Sequence, residues 1–388
     1  MLRVLTLSSL FPDATRPNFG VFVERQTLGL VAHHDVELKL IAPLGLPPWP
    51  LSRLGRYAGL SALPRHEHWK GVETWRPRFV NLPGTGGRFH AATLVARLKP
   101  MLRAIRRDFA FDVIDASFFF PTASRRSNWA GRLASRCRSR RGGADIHHWG
   151  RAPATAAQVL NAGRNADGLL AVAGSMRDDM AALGMDADKI RVHRTGVDLD
   201  RFAPRDRMAA KAALGVAGPL VASVGALIPR KGHEIVIDAV AALPGVRLMI
   251  AGEGPERPKL AGQIARLGLG DRVTLMGSIA HGELPGLLAA ADVMALASSS
   301  EGLANAWVEA LASGTPVVIP DAGGARELVT APEHGRIVAR NAAAFAEAIG
   351  AILAAPPPPD AVRAGAAGFT WEANRDALYA HLAGLVRR

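Results

Sequence analysis

Two glutamates separated by seven residues, Glu301 and Glu309 in Glu301-Gly302-Leu303-Ala304-Asn305-Ala306-Trp307-Val308-Glu309, have the type and spacing to bind a polyhydroxyl ligand. The pattern puts Glu301 on a loop after a strand and Glu309 within the helix that follows. A carboxylate ahead of a helix accepts hydrogen bonds from sugar hydroxyls. A second one on the helix takes a bidentate pair from ribose hydroxyls, and ionisation strengthens both. The helix N-terminus and Gly302 leave backbone amides for a pyrophosphate. The same spacing also fits a solvent-exposed charged pair on an ordinary helix, so it does not decide the matter alone. Other candidates are poorer. Asp198-Leu199-Asp200 has an Asp-x-Asp spacing that can take a metal, and His66-Glu67-His68 sets two imidazoles at spacing two without a third ligand, so a solvated loop is expected there. The single cysteine, Cys137, excludes an intramolecular disulfide and a cysteine-built metal site. There is no P-loop and no Ser-His-Asp arrangement.

The elements that must position these residues alternate between aliphatic runs and amphipathic, alanine-rich stretches, the mark of βαβ units and parallel sheets. Strands are expected at Arg3–Leu7, Val36–Ile41, Val113–Asp115, Leu169–Val172 and Ile190–His193, with helices at Gly20–His33, Ala91–Arg107 and Ser175–Leu183, the last capped by Ser175. A second series of strands covers Leu220–Val224, Arg247–Ile250, Val273–Met276, Val293–Ala295 and Pro316–Ile319, with helices at His233–Ala242 and Pro255–Leu267. The series change near Gly196–Phe202, Pro356–Pro359 ends the second, and a last amphipathic helix spans Glu372–Arg387. A chain of 388 residues exceeds one core, so two domains are expected. With 49% apolar and 21% charged residues it reads as a soluble α/β protein. No apolar stretch approaches the ~20 residues of a membrane span. Met1–Phe11 is closed by Pro12 and Asp13 and reads as a first strand rather than a signal peptide, so a cytoplasmic location is expected. A net charge of +13 suits nucleic acid, an anionic membrane or phosphorylated substrates.

Beyond Glu309 the chain continues Ala310-Leu311-Ala312-Ser313-Gly314-Thr315-Pro316-Val317-Val318, then Gly323, Gly324 and Glu327. This run resembles the C-terminal half of the retaining GT-B glycosyltransferases of family four. Val224-Gly225-Ala226-Leu227-Ile228-Pro229-Arg230-Lys231-Gly232 resembles the family's phosphate-binding turn, and Ile250-Ala251-Gly252-Glu253-Gly254-Pro255 its next strand and turn. Gly196-Val197-Asp198 with Phe202 is similar to its interdomain crossing, and Asn18-Phe19-Gly20-Val21-Phe22-Val23-Glu24 to its first loop.

The resemblance implies an α/β GT-B fold of two facing Rossmann-like domains with parallel sheets. Residues 1–194, with the C-terminal helix 370–388, would form the acceptor side, and 195–365 would bind the donor. Lys231 with Arg230 would neutralise the donor pyrophosphate, Glu309 would hold the ribose, and Glu301 would support the oxocarbenium-like sugar. The backbone of Gly302, Leu303, Ala304 and Asn305 would face sugar and phosphates. Many relatives have arginine one or two positions after the glycine that is Gly225, where this chain has Ala226 and Leu227; Arg230 is then the substitute. Gly20 would let backbone approach a ligand, and Asp145 or His147 would orient acceptor or donor sugar. The implied activity moves a sugar from a UDP- or GDP-sugar to a hydroxyl acceptor, with retention by front-face attack. The expected partners are that nucleotide-sugar donor, as substrate with no cofactor or metal, and an acceptor that includes the lipid-linked class, with peripheral contact to an anionic membrane at its inner face and no nucleic acid. Competing readings are an epimerase or phosphorylase on the same fold, and a non-catalytic basic surface binder.

One stretch departs from the family. Thr122–Arg141 holds seven arginines, no acid, Cys137 and Trp129, and lacks both a helical apolar stripe and strand alternation. The family has an ordinary helix and strand here. With GC-rich codons, a one-base frame shift permits a translation of the same length that supplies a turn, an amphipathic helix, a glycine stop and a strand. A compensated frameshift therefore accounts for the run, and resequencing the gene tests it; an arginine patch for anionic lipid or nucleic acid is the functional alternative. As written, each arginine buried unpaired would cost on the order of several kcal/mol.

Overall fold

A computed structural model describes residues 1–17, 19–117, 119, 132–136 and 144–387. The chain divides into two compact units. Unit 1 is Met1–Arg194 with Trp371–Arg388, and unit 2 is Thr195–Thr370.

Unit 1 contains strands β1 (Leu2–Leu7), β2 (Val36–Ile41), β3 (Leu44–Leu46), β4 (His66–Trp69), β5 (Val72–Trp75), β6 (Arg78–Val80), β7 (Val113–Ala116), β8 (Arg132–Arg136), β9 (Gly168–Ala171) and β10 (Ile190–Val192). Its helices are α1 (Val21–Val31), α2 (Arg56–Ala62), α3 (His90–Asp108), α4 (Ala156–Asn165) and α5 (Gly174–Ala182). An eight-stranded sheet has the order β10-β9-β8-β7-β1-β2-β5-β4, and β3 pairs separately with β6. The inner strands are buried on both faces, hence their near-continuous aliphatic runs. α3 buries Ala91, Leu94, Leu98, Leu102 and Ile105 at helical spacing and exposes Arg97, Arg103 and Arg107.

Unit 2 contains β11 (Leu220–Val224), β12 (Arg247–Ala251), β13 (Val273–Gly277), β14 (Val293–Ala295), β15 (Val317–Pro320) and β16 (Gly335–Val338). Between and after them run α6 (Arg207–Ala213), α7 (His233–Ala241), α8 (Arg257–Arg266), α9 (Leu284–Ala290), α10 (Asn305–Ala312), α11 (Ala325–Leu328), α12 (Ala342–Ala354) and α13 (Pro359–Ala364). Its sheet is parallel, in the order β13-β12-β11-β14-β15-β16, with an apolar cluster against each face. Asp206 caps α6 by accepting from the amides of Met208 and Ala209, and Asn341 caps α12 by accepting from Ala344. Lys211 of α6 donates to Asp292 at 2.6 Å, and Asp292 also accepts from the Leu220 amide, which fixes the start of β11. The last helix, α14 (Trp371–Val386), belongs to unit 1; its Leu378, Leu382 and Leu385 share a core with Leu2, Val4, Val23 and Leu30.

Four expectations need correction. The sheet of unit 1 is not wholly parallel, because β4 joins β5 as an antiparallel edge. His66-Glu67-His68 is therefore strand, not loop; its alternate residues share a face, and His66 pairs with Glu73 across the hairpin at 3.0 Å. Ser175 does not cap α5. That helix starts one residue earlier, with Ala173 at the cap position, and the Ser175 hydroxyl is buried without a hydrogen-bond partner. Within the arginine-rich run, Arg132–Arg136 is strand β8, parallel to both β7 and β9, although its sequence carries no strand alternation. The rest of that run, with the frameshift and arginine-patch readings, lies outside the described residues.

Candidate functional site

In unit 2 the chain builds outward from β11 through β12 to β13, then returns to the other side of β11 with β14 and continues through β15 to β16. The order reverses between β11 and β14. Loops leaving the carboxyl ends of such a pair diverge and open a crevice where ligands of open α/β sheets bind. The loop after β11 carries Arg230 and Lys231, and the loop after β14 carries Glu301.

Close packing of backbone joins these loops. Gly232 has φ 64°, and a Cβ there would stand 2.2 Å from the Ala297 carbonyl oxygen, so no other residue fits. The Ser299 amide donates to the Arg230 carbonyl at 2.8 Å, and the Arg230 guanidinium donates to the Ser300 carbonyl. Arg340, after β16, donates to the carbonyls of Ala297 at 2.7 Å and Pro229 at 3.4 Å. The stem of Lys231 runs over Gly225, which offers no side chain to obstruct it.

The result is a cluster of two cations on one carboxylate. Lys231 Nζ bonds Glu301 Oε1, and Arg230 Nη1 stands 3.5 Å from the same oxygen. Glu301 is buried, and the Arg230 Nη2 atom is buried without a hydrogen-bond partner among the described residues. The cluster therefore holds one positive charge in excess, with donor capacity to spare. Beneath it His233, the first residue of α7, shares a 3.0 Å hydrogen bond with the Ser223 hydroxyl. Burial, and then the charge of Lys231, pushes its pKa down to about 4, so the ring is neutral near pH 7.

Glu309 lies one helix turn into α10. Its carboxylate is mostly buried and meets His281 Nε2 at 3.4 Å. The His281 ring packs edge-on against Phe202, with centroids 5.7 Å apart, and its Nδ1 is buried without a hydrogen-bond partner. The residue at the cap position of α10 is Ala304, whose side chain offers no acceptor to the first amides of the helix. Leu303 and Ala304 bury their side chains in the core, which leaves only their backbone to serve a ligand, while Asn305 is exposed. The Gly302 carbonyl accepts from the Gly324 amide at 2.7 Å, which fixes the loop against the Gly323-Gly324 turn.

Unit 1 reverses its strand order between β1 and β7. Gly20 ends the loop after β1 and precedes α1; at φ 78° its Cβ would stand 2.5 Å from the Leu10 carbonyl oxygen. Asp145 and His147 fall in a helical turn, Ala144–Trp149, that follows β8, and their side chains lie outside the described residues. The Asp198 carboxylate of the Asp-x-Asp pattern accepts from the Arg201 amide at 3.1 Å, a turn-forming contact. Among the described residues, His33, His34 and Asp35 are close enough to share a metal. The two imidazoles stack nearly parallel at 4.7 Å, and His33 also stacks on Tyr379.

Arg230, Lys231 and Glu301 are thus brought together. His281 and Arg340 were not legible as site residues in the sequence. Their one signal is position, since each follows the carboxyl end of a strand, β13 and β16.

Residues 204–371 match the family model of glycosyl transferases group 1, and residues 32–201 that of glycosyltransferase family 4. Both models are of glycosyltransferases, and the fold is that of the GT-B glycosyltransferases. A D-inositol 3-phosphate glycosyltransferase of Mycobacterium tuberculosis is 42% identical over 212 residues, which cover 51% of this GT-B chain and 44% of that relative. The match therefore spans less than half of the relative's length. Among solved structures, sucrose-phosphate synthase from Thermosynechococcus elongatus aligns over 99% of this chain and 100% of its own, with a TM-score of 0.78 at 22% identity. HepE of Anabaena in complex with UDP-glucose aligns over the same shares, with a TM-score of 0.73 at 21% identity. At these identities the likeness is one of GT-B fold. Among the described residues no helix is long and apolar enough to cross a membrane.

Proposed function

We propose that this chain is a retaining glycosyltransferase of family four that moves a glycosyl unit from a UDP- or GDP-sugar to a hydroxyl acceptor, in glycolipid or polysaccharide synthesis. The observation that carries the reading is the cluster of Lys231 and Arg230 on Glu301 at the strand-order reversal of unit 2. Without a donor, the buried carboxylate is shared by both cations and leaves one positive charge over. A pyrophosphate entering beside the α10 N-terminus offers them a better anion, because the β-phosphate gains charge as the glycosidic bond breaks and fixed cations stabilise that gain. Glu301, released, accepts from sugar hydroxyls and supports the positive charge that develops at the anomeric carbon. Glu309 takes the ribose, held in place by His281. The backbone from Gly302 to Asn305 lines the phosphates and sugar. Gly20, with Asp145 or His147, serves the acceptor side in unit 1. Side chains and backbone supply all of this chemistry, so no metal or cofactor is required. A nucleotide sugar is favoured as donor by the UDP-glucose named for HepE. The acceptor class includes lipid-linked hydroxyls, with the chain on the cytoplasmic face of the membrane in peripheral contact with it.

A thermal-shift series with UDP, GDP and ADP, followed by donor turnover with and without acceptor, tests this. One nucleotide should raise Tm, and that rise should disappear in Lys231→Ala. No shift with any of the three, or epimerised donor without acceptor dependence, would overturn it.

A further inference from the structure

We propose that unit 1 carries a docking patch for an anionic lipid surface, built on the loop after β3. It gives the membrane contact of the preceding reading a location and rests on that part of it alone, apart from the donor chemistry of unit 2. Five of the nine large hydrophobic residues exposed among the described residues gather here. Trp49 is 77% exposed, Leu51 50% and Leu54 58%, all within one short turn. Val80 joins them because β3 pairs with β6, setting Leu46 opposite Val80. Phe89 joins because the Thr93 hydroxyl donates to the carbonyls of both Val80, at 2.7 Å, and Phe89, at 3.2 Å.

The turn is built rather than slack. Its amides bond within it, Ser52 to Pro48, Arg53 to Pro50 and Leu54 to Leu51, at 3.0 to 3.3 Å. Beneath it Leu44, Leu46, Leu60 and Leu63 form a small core of their own. The apolar tips therefore stay in water although a core lies next to them, which costs free energy unless something apolar receives them.

Charge selects the partner. Residues 38–107 hold thirteen lysines and arginines against two acids, Glu67 and Glu73. Both acids are engaged, Glu67 by Arg76 and Glu73 by Lys39 at 2.8 Å. Arg53 and Arg88, both exposed, flank the apolar tips directly. An indole and leucines beside exposed arginines match the boundary between acyl chains and anionic headgroups, where the apolar part partitions and the cations meet phosphates. The patch leaves the carboxyl side of β2, the edge at which a doubly wound sheet binds ligands, so it would bring that edge to acceptors held in the bilayer.

Flotation of the full chain with phosphatidylcholine vesicles, with and without phosphatidylglycerol, tests the patch. The chain should float with the anionic vesicles only. The triple variant Trp49→Ser, Leu51→Ser, Leu54→Ser should lower that partitioning about tenfold or more, from the apolar area removed. Arg53→Glu with Arg88→Glu should lower it comparably and flatten its salt dependence. Brominated lipid should quench a tryptophan component that disappears in Trp49→Phe, a readout that needs no folding-sensitive substitution. Nucleotide-induced Tm shifts should be unchanged in every variant, which separates this test from that of the donor site. Absence of flotation, wild-type flotation by the triple variant, or retention on duplex DNA without vesicle binding would overturn the proposal.

Discussion

The two units share an architecture and use its ligand edge differently. In unit 2 the loops at the strand-order reversal are drawn together until backbone touches backbone at Gly232 and Ala297, and two cations converge on one buried carboxylate. In unit 1 the corresponding side exposes Trp49, Leu51 and Leu54 near the exposed Arg53 and Arg88. A site for one small, highly charged leaving group profits from preorganised, buried charge. A surface that meets a large or membrane-held partner profits from exposed apolar area. On the proposed function, the fold fixes the donor chemistry and leaves the acceptor side free to vary.

Each of the following changes breaks or sharpens that contrast. The largest effect is expected from Lys231→Ala, which should lower donor turnover by about 10²–10³-fold, as loss of one preorganised charge at a reacting centre does. Steady-state rates with saturating acceptor measure it, and a change below threefold would remove Lys231 from the chemistry. Asp292→Ala strands Lys211 and the Leu220 amide in unit 2 and should cost about 3 kcal/mol, read as the drop in urea unfolding free energy. His233 provides a pH test. Its folded pKa of about 4 lies below that of the unfolded ring, so the unfolded chain binds the extra proton. The stability this gives is complete above about pH 6.5 and is lost as pH falls toward 4, roughly 2 kcal/mol between pH 7 and pH 5. His233→Asn should flatten that slope relative to wild type, and an unchanged slope would refute it. The smallest effect is expected from His281→Ala, which should raise donor KM by about threefold to tenfold with kcat preserved, since one hydrogen bond that positions Glu309 is lost. A fall in kcat at unchanged KM would count against the assignment.

Much of unit 2 was legible because its signals are local. β11, β12 and β14 are short, mainly apolar runs, and the loop and helix carrying Glu301 and Glu309 follow from nine adjacent positions. What escaped has mixed local signals. β16 opens on Gly335 and Arg336, and α9 contains Pro285 and Gly286 yet buries nearly every side chain. β4 is His66-Glu67-His68-Trp69, polar enough to pass for loop, and becomes strand only through its pairing with β5. Ser175 shows the reverse error, a good capping residue placed one step inside its helix. The pairing of His281 with Glu309 joins a residue of the loop after β13 to one within α10 and has no local signature. Arg132–Arg136 pairs as a strand through its neighbours β7 and β9, where tertiary context overrides pattern.

The assignment of α14 to unit 1 has a consequence for synthesis. Strand β1 is translated well before α14, but Leu2 and Val4 share their core with Leu378, Leu382 and Leu385. Unit 2 is continuous in sequence and can fold as soon as Thr370 has cleared the exit tunnel. Unit 1 must wait with an uncovered apolar face until the helix that closes it is made. The first unit to be translated is therefore the last to be finished, and its exposed interval, set by the time needed to translate the whole of unit 2, is when it depends most on chaperones.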